Sequence, residues 1–362
     1  MNYWERRAAV RQAVYDRDAE QVIRQLQTAY RRAGEDIKMD VLSIFNNFRE
    51  YFKLPKEDAL KMLKSPAPPE VLKRLQMMAA ALPDGQEKLR IQAELSAPAY
   101  AHRISRLAAM QESARIRMAE VANVEIAADT RGLAKAADNA YMRTLFDVQR
   151  SSGFVFTTVG FDVKRSKQII AQNWSGVHFS DRVWKNTRQT AENVGLALQE
   201  MLVQGKASST TYQKILSDVV DEQMNKAGFA ANRLLRTEFN HVTGEAEMES
   251  YKDSDVEKYR YIAVLDGKTS EICRDLDGKV FPVSERKVGV NMHPMHPWCR
   301  SRTAPVLDSV VLSQHTRWSR DPVTGKEEKI PADITYREWE KRWKAKMEEA
   351  SSLKRKLKKQ LK

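Results

Sequence analysis

Cysteine is almost missing from this chain, with two in 362 residues, and no run of about 20 apolar residues occurs in it. The first shortage excludes a disulfide framework. In a reducing compartment, two cysteines close to histidines read as free thiols or metal ligands. The second shortage excludes a membrane-spanning helix, and no membrane partner is expected. Met1 to Arg7 also lack the short apolar stretch of a secretory signal, so the chain is expected in the cytoplasm. Acid is absent from the last twelve residues, Ser351 to Lys362, and proline is absent from Tyr100 to Arg150.

What is present is an ordinary hydrophobic fraction, 42%, and a formal charge of +13. The length suits two or three domains, or one extended helical assembly, with sizeable cores. The charge points to polyanionic partners, because clustered Lys and Arg displace counterions from phosphate backbones. Its densest run is Lys354, Arg355, Lys356, Lys358, Lys359 and Lys362. That run reads either as a solvated tail or as a contact for nucleic acid or an acidic protein surface.

Helical periodicity dominates the first two thirds. Ile37, Val41, Ile44, Phe45, Phe48 and Phe52 recur at three- and four-residue steps, which predicts one buried helical face ending at Pro55. Pro55 to Pro69 predicts a short helix over Lys56 to Lys64 and a stiff connector, and Pro83-Asp84-Gly85 predicts a turn. Tyr100 to Arg150 favours long helices, with a stripe through Ile104, Leu107, Ala108 and Gln111 and then Val121, Val124, Ala128 and Leu133; Gly132 marks a candidate break. Gly153 to Gly160 reads as a short strand or extended crossing. Asn173 to Gly176 reads as a turn, and Ser180 as the cap of a helix running to Gln204. A further helix, capped by Thr210 or Thr211, buries Ile215, Leu216, Val219 and Val220, and its continuation over Phe229 to Tyr251 carries Arg236, Glu238 and His241.

After Lys252 the period falls to two. Tyr259 to Leu265 and Lys279 to Val283 read as strands, with a turn at Asp266-Gly267, and Thr303 to Leu307 reads as an edge strand that tolerates Pro305. A turn with Cys273 and a loop ending in Cys299 are expected to meet over this small sheet. Further on, Asp321 to Gly325 with Pro331 reads as a linker. It precedes a basic amphipathic helix whose Tyr336, Trp339, Trp343, Met347, Ala350, Leu357 and Leu361 share a face; that face either docks on a partner, the favoured reading, or packs back on its own domain. The predicted fold class is therefore α+β and predominantly α-helical. It has long helical N-terminal and middle regions, a small mixed α/β C-terminal domain, and a basic C-terminal helix.

The densest chemistry lies between Arg233 and Leu307. Cys273, His293, His296 and Cys299 supply four ligands, the number a closed tetrahedral zinc site uses. The same residues admit a structural cluster of buried thiols and imidazoles. They also admit catalysis, with Asp266, Asp277, His293 and His296 holding a metal that activates water, or with Cys299 as nucleophile and a histidine as base.

The order of motifs here, Arg236-Thr237-Glu238, Leu265-Asp266 with Thr269-Ser270 and Cys273, Leu276 to Phe281, Gly289-Val290-Asn291, and His296 to Ser301, resembles the head morphogenesis (minor head, Mu F-like) proteins of tailed bacteriophages. The resemblance covers Asn173 to about Leu307 and is most specific from Arg236 to Arg300. Its motif residues fall on Arg236, Thr237, Glu238, Asp266, Thr269, Cys273, Asp277, Gly278, His296, Pro297, Cys299 and Arg300. Some relatives carry a third cysteine where this chain has Ser301. The resemblance implies an assembly protein without enzymatic turnover, present in few copies in the procapsid and the virion and assembled in the host cytoplasm. It implies the portal protein, the major capsid or scaffolding protein and packaged double-stranded DNA as partners. Together with the composition and turn signals, it gives an expected division into a helical arm (1–99), a helical connector with an extended segment (100–172), a head morphogenesis domain (173–308, motif core 233–307), and a linker with the basic helix (309–362). A metal-dependent nuclease, or a DNA-binding protein without an assembly role, are the competing readings.

Overall fold

The computed structural model describes residues 3–45, 54–98, 104–152, 161, 163–204, 212–306, 316–320, 326–331, 334–335 and 337–341. Among the described residues, eight helices come first: α1 (Tyr3–Ile44), α2 (Lys56–Lys64), α3 (Pro69–Ala81), α4 (Gln86–Leu95), α5 (Arg106–Ser152), α6 (Val163–Ile170), α7 (Phe179–Gln204) and α8 (Tyr212–Asp253). Then follow β1 (Lys258–Ile262), the short α9 (Glu271–Leu276), β2 (Val280–Pro282), β3 (Arg302–Val306), β4 (Thr316–Arg320) and β5 (Glu327–Pro331). The predominantly helical α+β class is what the sequence predicts.

The chain divides into two compact units. One comprises 1–20, 131–174 and 234–362; the other comprises 21–130 and 175–233. In the second unit, Ile37, Val41, Ile44 and Phe45 are buried as expected, while Phe48 and Phe52 lie outside the described residues. α2 has the bounds the prolines predict. α5 runs through Gly132 without a break, and Val124 and Gln111 of its expected stripe are exposed. A lone glycine costs a helix only about 1 kcal/mol, which flanking good helix formers offset. α7 begins a residue before Ser180, because the Ser180 backbone N–H reaches the ring of His178 (3.3 Å to Nδ1), so His178 fills the capping role. Of the α8 stripe, Leu216 and Val220 are buried and Ile215 and Val219 half-buried. Residues 153–160 and the caps at 210–211 lie outside the described residues.

Two features of this second unit join its helices through polar contacts. Tyr30 donates to Glu125 (2.6 Å), and Asp40 accepts from Ser113 (2.6 Å) and Arg117 (3.1 Å). Both carboxylates are buried.

The first unit holds the sheet. β1 is central, with order β2-β1-β3 and both pairings antiparallel. Tyr259 of β1 opposes Pro305 of β3, and β3 is an edge, where a residue without an N–H leaves no ladder bond unmade. Tyr259 and Ile262 join Trp4, Val148, Met248, Tyr251 and Met292 in one apolar cluster. The same unit holds a buried ion cluster. Arg11, 1% exposed, donates to Asp147 (2.6 Å) and Glu247 (2.9 Å), and Tyr15 donates to the same Glu247 oxygen (3.0 Å). Hydrogen bonds from several sides are what make buried charges tolerable.

Two expectations fail beyond β3. The residues flanking Asp321 to Gly325 pair as a hairpin, β4 with β5, rather than forming a linker. Trp339 is fully buried against Leu265, Ile330 and Ile334, and its indole N–H donates to Ser319. This aromatic packs back on its own unit instead of offering a docking face. The remaining aromatic and basic positions of the expected C-terminal helix, Lys354 to Lys362 included, lie outside the described residues.

Candidate functional site

The motif residues converge where α8 meets the loop before β3 and the helix α9. α8 presents three consecutive residues in three directions, as a 3.6-residue period requires. Arg236 pairs with Glu20 (2.7 Å), Thr237 accepts from the backbone N–H of Trp298 (3.3 Å), and Glu238 accepts from the indole of Trp174 (2.9 Å). One turn on, Asn240 clamps the loop. Its amide donates to the carbonyls of Cys299 (3.0 Å) and Ser301 (3.3 Å), and its oxygen accepts from Nδ1 of His293. Gly244 makes room for that loop: a Cβ there would lie 2.7 Å from His293 Cε1 and 3.0 Å from the Met292 methyl.

The other motif residues tie α9 to the strand and the loop. Asp277, buried, accepts from the backbone N–H of Ala263 (2.8 Å), and Gly278 takes a φ of +80° that only glycine adopts without strain. Thr269 donates to the carbonyl of Val264, closing the turn after β1. Arg300 grips Asp266 through both guanidinium nitrogens (2.6 and 2.8 Å). Against burial, which raises it, this grip holds the Asp266 carboxyl below its ordinary range. The carbonyl of Pro297 accepts from Nδ1 of His296 (2.8 Å).

Three of the four expected metal ligands come together. Cys273 sits on α9 rather than in a turn, with its sulfur 3.9 Å from that of Cys299 and 3.5 Å from Nε2 of His296. Tyr261 donates to the Cys273 sulfur (3.3 Å) and Ser270 contacts His296 Nε2 (2.8 Å). Hydrogen bonding from Cys299, with help from Ser270, Ser301 and Tyr261, pulls the Cys273 thiol below its ordinary value in spite of burial. The same bond, with burial, pushes Cys299 up. His293 stands apart. It is spent on Asn240, and burial, aided by Arg302, pushes it down to about 3. His241, stacked on Trp174 with ring centroids 4.8 Å apart, is likewise pushed down to about 3 by burial and by His293.

Among the described residues, Cys273, His296 and Cys299 are the one group of three potential metal ligands, and no aspartate belongs to it. Asp266, Asp277 and His293, invoked for a catalytic metal, are each engaged elsewhere. A cleft of about 970 Å³ in the same unit is bordered by His296, Cys299, Arg300, Arg236 and Asn240. Sequence reasoning assigned no site role to Asn240, Gly244, Tyr261 and Trp174, whose partners lie outside any local pattern, as with Trp174 and Glu238, 64 residues apart. No helix of the described residues is long and apolar enough to cross a membrane.

Residues 192–304 match the family model described as phage Mu protein F like protein. The match lies within the stretch whose motifs carry the resemblance and includes every residue from Arg236 to Arg300. No curated protein and no solved structure matches the chain.

Proposed function

Proceeding from a phage Mu protein F-like domain at residues 192–304, we propose that this protein is a minor component of a phage head. It enters the procapsid in few copies, sits inside the capsid beside the portal protein, and meets packaged double-stranded DNA through its basic C-terminal residues. The major capsid or scaffolding protein recruits it during assembly in the host cytoplasm.

The observation that carries this reading is the family match over residues whose side chains are consumed in holding the fold. Asp266 is held by Arg300, Asp277 by the Ala263 N–H, Glu238 by Trp174 and His293 by Asn240. The nuclease reading needs Asp266, Asp277 and His293 open to hold a metal or to take a proton beside substrate. Here the carboxylates of the motif are turned to architecture, which favours assembly over a nuclease. The charge of +13 supports the contact with DNA.

Co-expression with the portal protein of the same genome tests the neighbour. The expected result is co-elution of the two on size exclusion at moderate salt. Elution of each alone, under conditions where both are folded, contradicts the portal assignment.

A further inference from the structure

Cys273, His296 and Cys299 lie in two segments, one on α9 and one in the loop before β3, yet their ligand atoms all fall within 4.8 Å of one another. Tetrahedral zinc with Zn–S bonds of about 2.3 Å and a Zn–N bond of about 2.0–2.1 Å sets its sulfurs about 3.8 Å apart and sulfur from nitrogen about 3.6 Å apart. The corresponding separations here are 3.9 Å for Cys273 to Cys299 and 3.5 Å for Cys273 to His296 Nε2. From this geometry we propose that these three residues bind one zinc-class divalent cation, clipping α9 to the loop before β3. This goes beyond the head-assembly reading and does not depend on it.

The surroundings fit a metal ligand set. Nδ1 of His296 donates to the Pro297 carbonyl at 2.8 Å, which leaves Nε2 as the acceptor; its lone pair, 3.5 Å from the Cys273 sulfur, takes the Ser270 hydroxyl (2.8 Å) that a metal would displace. Outer hydrogen bonds of this kind fix the tautomer of ligating histidines. Tyr261 donates to the Cys273 sulfur, a bond that a metal-bound thiolate keeps. Two thiolates balance the charge of a divalent cation. His296 and Cys299 border the cleft, so a water molecule completes the fourth position. His293, committed to Asn240, takes no part, and the site therefore differs from the four-residue set that sequence alone suggests.

The test uses the full chain, stripped with a chelator under reducing conditions and titrated with cobalt(II). One equivalent is expected to bind, with an intense thiolate-to-cobalt band, the visible bands of four-coordinate cobalt, and loss of both on adding zinc. Cys299→Ser is expected to weaken zinc binding by more than the roughly 10- to 100-fold that loss of an outer hydrogen bond costs. Should that variant fail to fold, the spectrum of the unsubstituted protein decides alone. Absence of the thiolate band from folded, reduced protein overturns the proposal, as does a Cys299→Ser protein that folds and binds as tightly as before.

Discussion

At the scale of single residues, burial sets the protonation of Glu125, His241 and His293, whereas at Asp266 the grip of Arg300 outweighs it. Glu125 is buried beside Tyr30, and burial pushes its carboxyl up to about 7 although the Tyr30 hydroxyl acts the other way. An unfolded glutamate titrates near 4.3, so the folded chain holds a proton that the unfolded chain releases between these values. The stability this contributes is fully present below about pH 4.3 and lost as pH rises through about 7, a change of order 3 kcal/mol. Glu125→Gln, neutral at every pH, should remove that slope. Denaturant melts at pH 5 and pH 8 should show the unsubstituted protein losing more stability than the variant over this interval; parallel losses would contradict the assignment. The residue scale was only partly legible in sequence. Cys273, His296 and Cys299 stood out by type, but His293 stood out equally. Nothing local told that Asn240, 53 residues earlier in the chain, would claim it.

At the scale of elements, α8 is the organising piece of the site, because Thr237, Asn240 and Gly244 are all spent on the loop before β3. Asn240→Ala removes the donor of two hydrogen bonds and the acceptor of a third, leaving buried groups unpaired at a cost of about 1–3 kcal/mol. The loop should loosen before the domain unfolds. Thiol labelling of Cys299 in the native protein is expected to accelerate, whereas an unchanged rate would mean that the loop is held by other contacts. Elements were the most legible level. Regular spacing of Ile37, Val41 and Ile44 and the prolines around α2 carry their own signal, since helix period and proline geometry are local properties. α9 escaped notice because six residues are too few to show a period. The β4–β5 hairpin escaped because Asp321 to Gly325 marks any chain reversal, linker or hairpin alike.

For the whole molecule, the formal charge of +13 is the quantity read most directly from the sequence. Six basic residues between Lys354 and Lys362 dominate the C-terminal end. If they contact phosphates, deleting Ser351 to Lys362 should reduce the magnitude of the slope of log affinity for duplex DNA against log salt by up to about 5. A slope equal to that of the full chain would remove the tail from DNA binding.

The central claim, a head component present in few copies, is tested most directly by counting. Procapsids assembled from the head genes of the source genome, purified and quantified by mass spectrometry against labelled peptides, should contain this chain at a low, reproducible number per particle. Particles that form normally and contain none of it, or that carry it in proportion to the major capsid protein, would contradict the account.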